Sequence, residues 1–428
     1  MDMFCVEGGR ALRGTVRVEG SKNASLPIMA ACLAVTGDVV LQGIPELEDV
    51  ATMRSLLQCM GTTIRSDASG ATLINSQSVH TTVAPYELVR RMRASVCVLG
   101  PLTARFGKAR VSLPGGCNIG HRPIDLHLRG LAALGATIRI ESGYIVAEAK
   151  RLTGAEIDLL GAQGPTVTGT CNVMVAAALA KGRTVIRNAA QEPEVEDLGR
   201  FLVAAGAKIQ GLGHREVEIE GVDELQAVQH TVIPDRIEAA TLAVAALITG
   251  GDVLIANAPV IQMQAVLEIF SQTGAHLDHS AAGLRITAGS DLRPASFQVD
   301  PFPGIPTDIQ AQLMALLALV PGESRITDNV FPERFMHVAE LNRLGASIRV
   351  QGNQAFVQGV PGFSGAPVMA SDLRASAALV LAAMAAEGTT EIRRVYHLAR
   401  GYQAFEQKLN HLGARIVRHK EQSTSTQF

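Results

Sequence analysis

The sequence predicts an α/β protein of two domains, each formed by three copies of one folding unit that packs around buried helices. A chain of 428 residues exceeds what one ordinary core can organise, and a hydrophobic content of 47% is ample for two cores. A glycine, two small or polar residues and an aliphatic residue recur every ~70 residues, which marks an internal repeat. The copies are Gly61-Thr-Thr-Ile, Gly135-Ala-Thr-Ile, Gly206-Ala-Lys-Ile, Gly274-Ala-His-Leu, Gly345-Ala-Ser-Ile and Gly413-Ala-Arg-Ile.

Each recurring glycine is predicted to join an outer helix to a strand. A helical pattern precedes it, as in residues 50–60, and a short alternating pattern typical of a strand follows it, as in residues 137–141. Glycine suits this junction because the residue that ends a helix often adopts a left-handed conformation. Each copy is therefore expected to contain an outer helix that leads directly into strands.

A second helix, present in most copies, is predicted to be buried on every side. Residues 375–386 are the clearest example, because they carry no charged side chain. A helix without a polar face has to be enclosed by other elements. Three such helices would fill each domain, and the division between the domains is expected near residues 231–234.

Polar and charged residues stand at the N-terminal ends of these apolar helices. They are Lys22, Asn23, Arg93, Thr166, Asp235, Arg236, Asp308, Asp372 and Arg374. The threonine and the aspartates have two equally open interpretations, as helix N-caps or as functional groups. The cations Lys22, Arg93 and Arg374 do not suit a cap, because positive charge opposes the helix dipole unless an anion shares the site. The pattern therefore predicts a cleft for a substrate with several negative charges.

One cysteine stands in a glycine-rich loop bounded by prolines, Leu113-Pro-Gly-Gly-Cys-Asn-Ile-Gly-His-Arg-Pro123. This residue is Cys117, and Arg122 follows it five positions later. A loop thiol beside a fixed positive charge can have a lowered pKa and act as an acid or a nucleophile. The alternative is a turn whose thiol has no chemical role. The remaining cysteines are expected to be core or surface residues without a chemical role: Cys5, Cys32, Cys59, Cys97 and Cys171. Three histidines lie within or beside motifs, His121, His127 and His397, and packing and hydrogen bonding are expected for them, with ligand contact as the alternative.

Composition disfavours several classes of function. The 38 basic and 40 acidic residues nearly balance, which argues against nucleic-acid or anionic-membrane partners. No tryptophan is present and aromatic residues make up 4%, so stacking on nucleotide bases is not expected. The cysteines form no CxxC pair, and zinc-finger spacing is missing, so no metal site is expected. The N-terminal residues lack a signal-peptide pattern, and the apolar runs are too short for membrane insertion, so a cytoplasmic protein is expected.

A set of short motifs extends from about residue 8 to residue 417. The motifs are Gly20-Ser-Lys-Asn-Ala-Ser-Leu-Pro27, Met92-Arg-Ala-Ser95, Leu113-Pro-Gly-Gly-Cys-Asn-Ile-Gly120, Arg122-Pro-Ile-Asp-Leu-His127, Pro234-Asp-Arg-Ile-Glu238, Pro306-Thr-Asp-Ile-Gln310, Glu333-Arg-Phe-Met-His337, Asp372-Leu-Arg-Ala-Ser376 and Arg400-Gly-Tyr402. Together they resemble the UDP-N-acetylglucosamine enolpyruvyl transferases. The related shikimate-phosphate enzymes would share the repeats but not the cysteine loop.

The resemblance implies the two-domain enolpyruvyl transferase fold, an inside-out α/β barrel with buried helices and outer sheets. One domain would comprise residues 22–233 with the cysteine loop, and the other residues 1–21 and 234–428 with the general base. The active site would lie in the cleft between them. The implied reaction transfers the enolpyruvyl group of phosphoenolpyruvate to the 3'-hydroxyl of UDP-N-acetylglucosamine. No metal or organic cofactor and no partner beyond these substrates are implied, and the oligomeric state is left open.

Roles carry over at the matching positions. Cys117 would protonate the methylene carbon of phosphoenolpyruvate and could form a covalent adduct, and Asp308 would accept the proton of the sugar hydroxyl. The phosphate clamp would be Lys22, Arg122 and Arg400. Further substrate-binding arginines would be Arg93, Arg334 and Arg374, whose planar guanidinium groups suit carboxylates and phosphates. The remaining substrate-binding positions would be Asn23, Pro123, Ile124, Asp125, Leu126, Gly164, Pro165, Thr166, Val167, Val330 and Asp372.

One departure from the family pattern bears on the nucleotide. Related chains usually have Ser-Val-Gly-Ala where this chain has Thr166-Val-Thr-Gly169, so Thr168 adds bulk where glycine is common. This difference supports an alternative function, enolpyruvyl transfer to another nucleotide or to a phosphorylated small molecule. A second alternative is an inactive paralogue that binds nucleotide sugar and regulates. The presence of a complete proton donor and acceptor pair, Cys117 and Asp308, together with Lys22 and Arg400, argues against it.

Overall fold

The structure is a computed structural model that describes residues 2–68, 70–114 and 124–420. These residues form two compact units. We call residues 20–114 and 124–234 the inserted unit, because the chain enters it after residue 19 and leaves it before residue 235. We call residues 2–19 and 235–420 the terminal unit, because it contains both ends of the described chain.

The helices divide between the units at residue 235. Those of the inserted unit are α1 (Lys22–Ala31), α2 (Glu48–Cys59), α3 (Tyr86–Val89), α4 (Leu99–Phe106), α5 (Asp125–Ala133), α6 (Val167–Ala178) and α7 (Pro193–Ala204). Those of the terminal unit are α8 (Arg236–Ile248), α9 (Gln264–Gln272), α10 (Gln310–Leu317), α11 (His337–Arg343), α12 (Leu373–Ala385) and α13 (Phe405–His411). Short 3-10 turns cover Cys32–Ala34, Arg93–Val98, Val260–Met263, Thr307–Ile309 and Val395–Arg400.

The strands are short, with at most six residues each. In chain order they are β1 (Asp2–Glu7), β2 (Arg13–Arg17), β3 (Asp38–Gln42), β4 (Thr63–Ser66), β5 (Thr72–Asn75), β6 (Val83–Ala84), β7 (Lys108–Ser112), β8 (Thr137–Glu141), β9 (Tyr144–Glu148), β10 (Glu156–Asp158), β11 (Leu160–Gly161), β12 (Gly164–Pro165), β13 (Arg183–Arg187), β14 (Lys208–Gln210), β15 (Glu216–Glu220), β16 (Val228–Thr231), β17 (Asp252–Ala256), β18 (His276–Ser280), β19 (Gly283–Thr287), β20 (Phe297–Val299), β21 (Glu323–Asp328), β22 (Ser347–Gln351), β23 (Gln354–Gln358), β24 (Phe363–Ser364), β25 (Val368–Met369), β26 (Ala386–Glu387), β27 (Thr389–Arg393) and β28 (Arg415–Lys420).

The same four-stranded sheet occurs six times among the described residues. In the inserted unit the strand orders are β16-β3-β5-β4, β6-β7-β9-β8 and β10-β13-β15-β14, and in the terminal unit β18-β19-β17-β2, β20-β21-β23-β22 and β25-β27-β1-β28. Each sheet contains one parallel and two antiparallel pairs; in the first, β16 runs parallel to β3, and β5 pairs antiparallel with β3 and β4. The predicted repeat is therefore confirmed at the level of strand pairing.

Buried helices fill both cores, as predicted. In the terminal unit every residue of α8 and α10 is buried, and so are residues 374–384 of α12. In the inserted unit α6 is buried from Gly169 to Ala178. The outer helices bury one face only; α7 does so through Val195, Leu198, Phe201 and Leu202. Alternating burial along strands such as β21 shows that the sheets also turn one face towards the core.

The recurring glycines end the outer helices in the left-handed conformation. Their φ angles are 103° at Gly61, 94° at Gly135, 104° at Gly206, 87° at Gly274, 101° at Gly345 and 106° at Gly413. A side chain at these positions would strain the backbone, which explains why the repeat retains glycine there.

Two buried helices begin differently from the prediction. Residues 93 and 308 were expected at the start of α-helices, but both lie in 3-10 turns that precede α4 and α10. Proline explains the late start of α4, because Pro101 in its first turn lacks the N–H that an α-helix begun at residue 93 would need there. The turn before α10 begins directly after its N-cap, Pro306.

No helix within the described ranges is long and apolar enough to cross a membrane. The same residues contain no group of three or more His, Cys, Asp or Glu side chains that could hold a metal ion.

Candidate active site

Asp308 lies between two arginines in the terminal unit. It belongs to the 3-10 turn that leads into α10. Its Oδ1 accepts a hydrogen bond from Nη1 of Arg334, and its Oδ2 accepts one from Nη2 of Arg374, both at 2.8 Å. The carboxylate remains 25% exposed, whereas the side chains of Arg334 and Arg374 are 8% and 2% exposed. The structure thus brings together three residues that the sequence analysis assigned to one site.

Two nitrogen donors of the Arg374 guanidinium have no acceptor among the described residues. Its Nε and Nη1 are buried and donate to no described residue. Burial alone would lower the pKa of the guanidinium, but Asp308 and other negative neighbours outweigh burial and raise it. The guanidinium carbon also lies 5.2 Å from the ring centre of Tyr402, a cation–π distance. An anion that reached these N–H groups would not have to displace a described partner from them.

Asp328 connects the loop that contains Val330 to the turn that contains Asp308. Its Oδ1 accepts hydrogen bonds from the N–H groups of Val330 and Phe331, at 2.9 Å and 2.7 Å. Its Oδ2 accepts one from the hydroxyl of Thr307 at 2.8 Å. Burial raises the pKa of Asp328, although these donors oppose the shift. Val330 is thus held close to Asp308 through a buried carboxylate.

Asp372 and Arg400 lie near one imidazole. Asp372 is the N-cap of α12, where its Oδ1 accepts from the N–H groups of Arg374 and Ala375 at 2.9 Å and 3.2 Å. Arg400 ends the 3-10 turn 395–400 and is half-buried. Burial lowers the pKa of His397, the positive charge of Arg400 lowers it further, and Asp372 acts in the opposite direction.

Lys22 and Asn23 open α1 in the inserted unit, after the N-cap Ser21. The Nζ of Lys22 lies 3.7 Å from Oδ2 of Asp49 in the first turn of α2. Both side chains are largely buried, with 12% and 6% exposed. Asp49 thus offsets part of the positive charge that Lys22 places at a helix N-terminus.

Arg93 opens the 3-10 turn before α4 and is half-buried. Helices α1 and α6 pack against this turn and against each other. Helix α1, helix α6 and the 3-10 turn that opens with Arg93 are therefore neighbours.

The two predicted nucleotide-sugar segments also lie together in the inserted unit. Residues 124–126 lead into α5, and residues 164–167 lead from a hairpin into α6. A Cβ on Gly161 of that hairpin would lie 3.0 Å from Cδ1 of Leu126. Arg129 of α5 donates a 3.0 Å hydrogen bond to the carbonyl of Leu160 in the same hairpin. Thr166 is the N-cap of α6, accepting from the N–H of Gly169 at 3.2 Å.

Three predicted site residues, Cys117, Arg122 and Pro123, lie outside the described residues, so their roles stay predictions. The other cysteines are free thiols. Burial raises the pKa of Cys97 to about 12, and it also raises the pKa of Cys32, Cys59 and Cys171.

Asp49 and Asp328 are functional-site neighbours that the sequence pattern does not reveal. Asp49 stands 27 positions after Lys22, in the first turn of an amphipathic helix, where an acidic residue is ordinary. Asp328 ends a strand and contacts Thr307 across 21 positions. Neither spacing follows a local period, so these partners become visible only once the elements are packed.

Comparison with known proteins identifies the relatives of this chain. A family model described as EPSP synthase (3-phosphoshikimate 1-carboxyvinyltransferase) matches residues 6–409. The UDP-N-acetylglucosamine 1-carboxyvinyltransferase of Methylacidiphilum infernorum (isolate V4) is 50% identical over 418 residues, 98% of this chain and 99% of the relative. The proteins of the same name from Anaeromyxobacter sp. (strain Fw109-5) and Anaeromyxobacter dehalogenans (strain 2CP-C) are 53% and 54% identical, again over 98% of this chain and over 100% and 99% of the relatives.

Solved structures confirm the predicted fold. The enolpyruvyl transferase NikO from Streptomyces tendae superposes with a TM-score of 0.88 at 27% identity, covering 97% of this chain and 98% of its own. An EPSP synthase from Acinetobacter baumannii, at 20% identity, shares the fold with a TM-score of 0.77 over 98% of this chain and 100% of its own. The chain therefore belongs to the enolpyruvyl transferase family, and within that family to the UDP-N-acetylglucosamine 1-carboxyvinyltransferases.

Proposed function

We propose that this enzyme transfers the enolpyruvyl group of phosphoenolpyruvate to the 3'-hydroxyl of UDP-N-acetylglucosamine and releases inorganic phosphate. The observation that carries the proposal is the 50% to 54% identity to enzymes of that name along 98% of the chain. The reaction would be the first committed step towards the peptidoglycan precursor. It forms a bond between the sugar oxygen and C2 of phosphoenolpyruvate and breaks the bond between C2 and the phosphate oxygen.

The proposed mechanism is addition followed by elimination. Cys117 would donate a proton to the methylene carbon of phosphoenolpyruvate, which leaves positive charge at C2. The 3'-hydroxyl of the sugar would attack C2 and give its proton to Asp308, the general base. Loss of phosphate together with a proton from the new methyl group would restore the double bond in the product.

The ion pairs of Asp308 support a mechanism in which the carboxylate acts as a base only after substrate has bound. Both carboxylate oxygens are engaged by the guanidinium groups of Arg334 and Arg374. An incoming carboxylate or phosphate would compete for these arginines, and the buried Nε and Nη1 of Arg374 offer it additional donors. Substrate binding would thus release a carboxylate oxygen of Asp308 for proton transfer.

The other proposed roles follow the chemistry of each group. Lys22, Arg122 and Arg400 would bind the phosphate of phosphoenolpyruvate, and Arg93 would serve further anionic oxygens of the substrates. Asn23, Val330 and the segments 124–126 and 164–167 would bind the nucleotide sugar. The adjacency of these two segments in the inserted unit supports a shared role.

Phosphate release tests the function directly. The enzyme is incubated with phosphoenolpyruvate and, in separate reactions, with UDP-N-acetylglucosamine, UDP-glucose, free N-acetylglucosamine or shikimate 3-phosphate. We expect rapid release with UDP-N-acetylglucosamine alone and a product heavier than the nucleotide sugar by one enolpyruvyl group. Faster release with another acceptor would replace the proposed substrate, and nucleotide-sugar binding without release would indicate the inactive paralogue.

A further inference from the structure

A buried hydrogen-bond network joins the first turns of α5 and α6 in the inserted unit. Its centre is His127 of α5, which is 2% exposed. The Nε2 of His127 lies 3.1 Å from the hydroxyl oxygen of Thr168, and its Nδ1 lies 3.0 Å from Nδ2 of Asn172. Thr168 and Asn172 stand four positions apart on α6, so they present their side chains on the same face of that helix. One imidazole thus spans two helices.

The partners of Asn172 fix the direction of each hydrogen bond. Its Oδ1 accepts from the N–H of Gly100, and its Nδ2 donates to the carbonyl of Val96 at 2.9 Å. The second hydrogen on Nδ2 is then directed to Nδ1 of His127, which has to accept. A neutral imidazole that accepts at Nδ1 carries its hydrogen on Nε2, so His127 donates to Thr168.

The network lies directly next to both predicted nucleotide-sugar segments. His127 follows residues 124–126, and Thr168 follows residues 164–167. Any rotation of α5 against α6 would change the spacing of these segments, and the imidazole opposes such a rotation. A residue without a hydroxyl at position 168 would remove this hydrogen-bond acceptor from His127. Thr168, which departs from the family pattern near the predicted nucleotide-sugar segments, therefore makes a structural contact with His127.

We propose that Thr168 is a positioning residue for the nucleotide sugar: its hydroxyl holds His127 and so fixes the spacing of the two segments that bind UDP-N-acetylglucosamine. This inference rests on the proposed function. It assigns the effect to binding of the nucleotide sugar, because the network touches neither Asp308 nor Lys22 in the hydrogen bonds that define it.

Two variants test the proposal. Thr168→Val keeps the shape but removes the acceptor, and Thr168→Ser keeps the hydroxyl. For the valine variant we expect the KM and the calorimetric Kd for UDP-N-acetylglucosamine to rise by about 5-fold or more, because the Nε2 donor of His127 loses this acceptor in a largely buried position. The kcat and the KM for phosphoenolpyruvate should stay within about twofold, and the serine variant should bind almost as the wild type does.

Thr103→Val is the matched control. Thr103 is buried in α4, and its hydroxyl donates to the Leu99 carbonyl of its own helix at 2.8 Å. We expect this variant to lower the melting temperature without changing the KM for the nucleotide sugar. An unchanged KM in Thr168→Val, a serine variant as impaired as the valine variant, or a parallel loss in Thr103→Val would overturn the proposal.

The same measurements separate this proposal from the function on which it rests. A wild-type enzyme that neither binds UDP-N-acetylglucosamine nor releases phosphate with it would overturn both. A wild-type enzyme that does both, combined with a valine variant of normal affinity, would contradict only the role of Thr168.

Discussion

At the scale of single residues, the positions at which the buried helices begin have different roles in different copies of the repeat. Thr166, Asp235 and Asp372 cap the helices that follow them. Asp308 stands in the corresponding place, but its carboxylate bridges two largely buried arginines. The sequence left both interpretations open for all of these residues, because an N-cap and a functional carboxylate require the same residue type at the same position. Only the packing of distant arginines separates Asp308 from the others.

Replacing Asp308 by asparagine should reduce turnover while nucleotide-sugar binding survives. Asparagine preserves the shape but cannot accept a proton, so kcat should fall by about 100-fold or more. Asp252→Asn is the control, because Asp252 pairs with Arg285 on a sheet of the same unit and should leave kcat unchanged. Phosphate-release kinetics and calorimetry provide the two readouts. Near-normal turnover of the Asp308 variant would remove it from the mechanism.

Thiol labelling should distinguish Cys117 from the other cysteines. Burial raises the pKa of Cys32, Cys97 and Cys171, so at neutral pH they carry almost no reactive thiolate. The family resemblance implies that the phosphonate epoxide fosfomycin alkylates Cys117. We expect one adduct by intact mass and its location at Cys117 by peptide mapping, with the buried thiols labelled only by a general alkylating agent after unfolding. An adduct on a different cysteine would contradict the proposed role.

The sequence placed Asp308, Arg334 and Arg374 in one predicted site, and the structure brings their side chains together. Short motifs contain these residues and Lys22, and their roles in the reaction stay predictions. The pairing of Lys22 with Asp49 could not be predicted, since it depends on how α1 packs against α2. The sequence shows that position 168 departs from the family pattern, but it does not show that Thr168 contacts His127.

At the scale of elements, the buried helices show what a hydrophobic sequence pattern can predict and what it cannot. Their apolar composition predicted full burial, and the structure confirms it for α8 and α10 and for residues 374–384 of α12. The patterns did not predict the 3-10 starts at residues 93 and 307, because hydrophobic periodicity does not resolve a single turn. These turns matter because Arg93 and Asp308 lie in them.

The first residue of α11 should make folding sensitive to acid. Burial lowers the pKa of His337 to about 4, Arg334 acts in the same direction, and Asp372 opposes them. Unfolding restores the ordinary value of 6.5, so between pH 6.5 and 4 the unfolded chain binds the extra proton. The free energy of unfolding should therefore fall as the pH falls through this window, by up to about 1.4 kcal/mol per pH unit from this group.

Urea unfolding at several pH values would measure this contribution. The difference in unfolding free energy between wild type and His337→Gln should shrink as the pH falls from 6.5 towards 4. His279→Gln is the control, because His279 is exposed on a strand of the same unit. A constant difference between wild type and the His337 variant would show that the imidazole does not titrate as stated.

At the scale of the whole molecule, the two units differ in which parts of the chain supply their strands. All strands of the inserted unit come from one continuous segment, residues 38–231. The terminal unit takes β1 and β2 from the start of the chain and its other strands from beyond residue 235. Strand β1 lies between β27 and β28, with Phe4 opposite Ile392 and Arg418.

We expect the inserted unit to fold by itself and the C-terminal part of the terminal unit to require the N-terminal segment. Residues 20–234 expressed alone should unfold cooperatively in urea, because their cores and sheets are complete. Residues 235–428 should lack a cooperative transition and regain one when a peptide of residues 1–19 is added, because the peptide supplies β1 and β2. Circular dichroism would follow both. Cooperative unfolding of the unassisted C-terminal fragment would show that the central strand is dispensable.

The place of β1 also governs what happens while the protein is being made on the ribosome. Strand β1 is translated long before its neighbours, residues 389–393 and 415–420, and has to wait for them. At bacterial elongation rates of about 5–20 residues per second, this delay lasts on the order of tens of seconds. The inserted unit can meanwhile finish folding. A stalled nascent chain would therefore present one protease-resistant body flanked by an unpaired apolar segment, the kind of intermediate that chaperones bind.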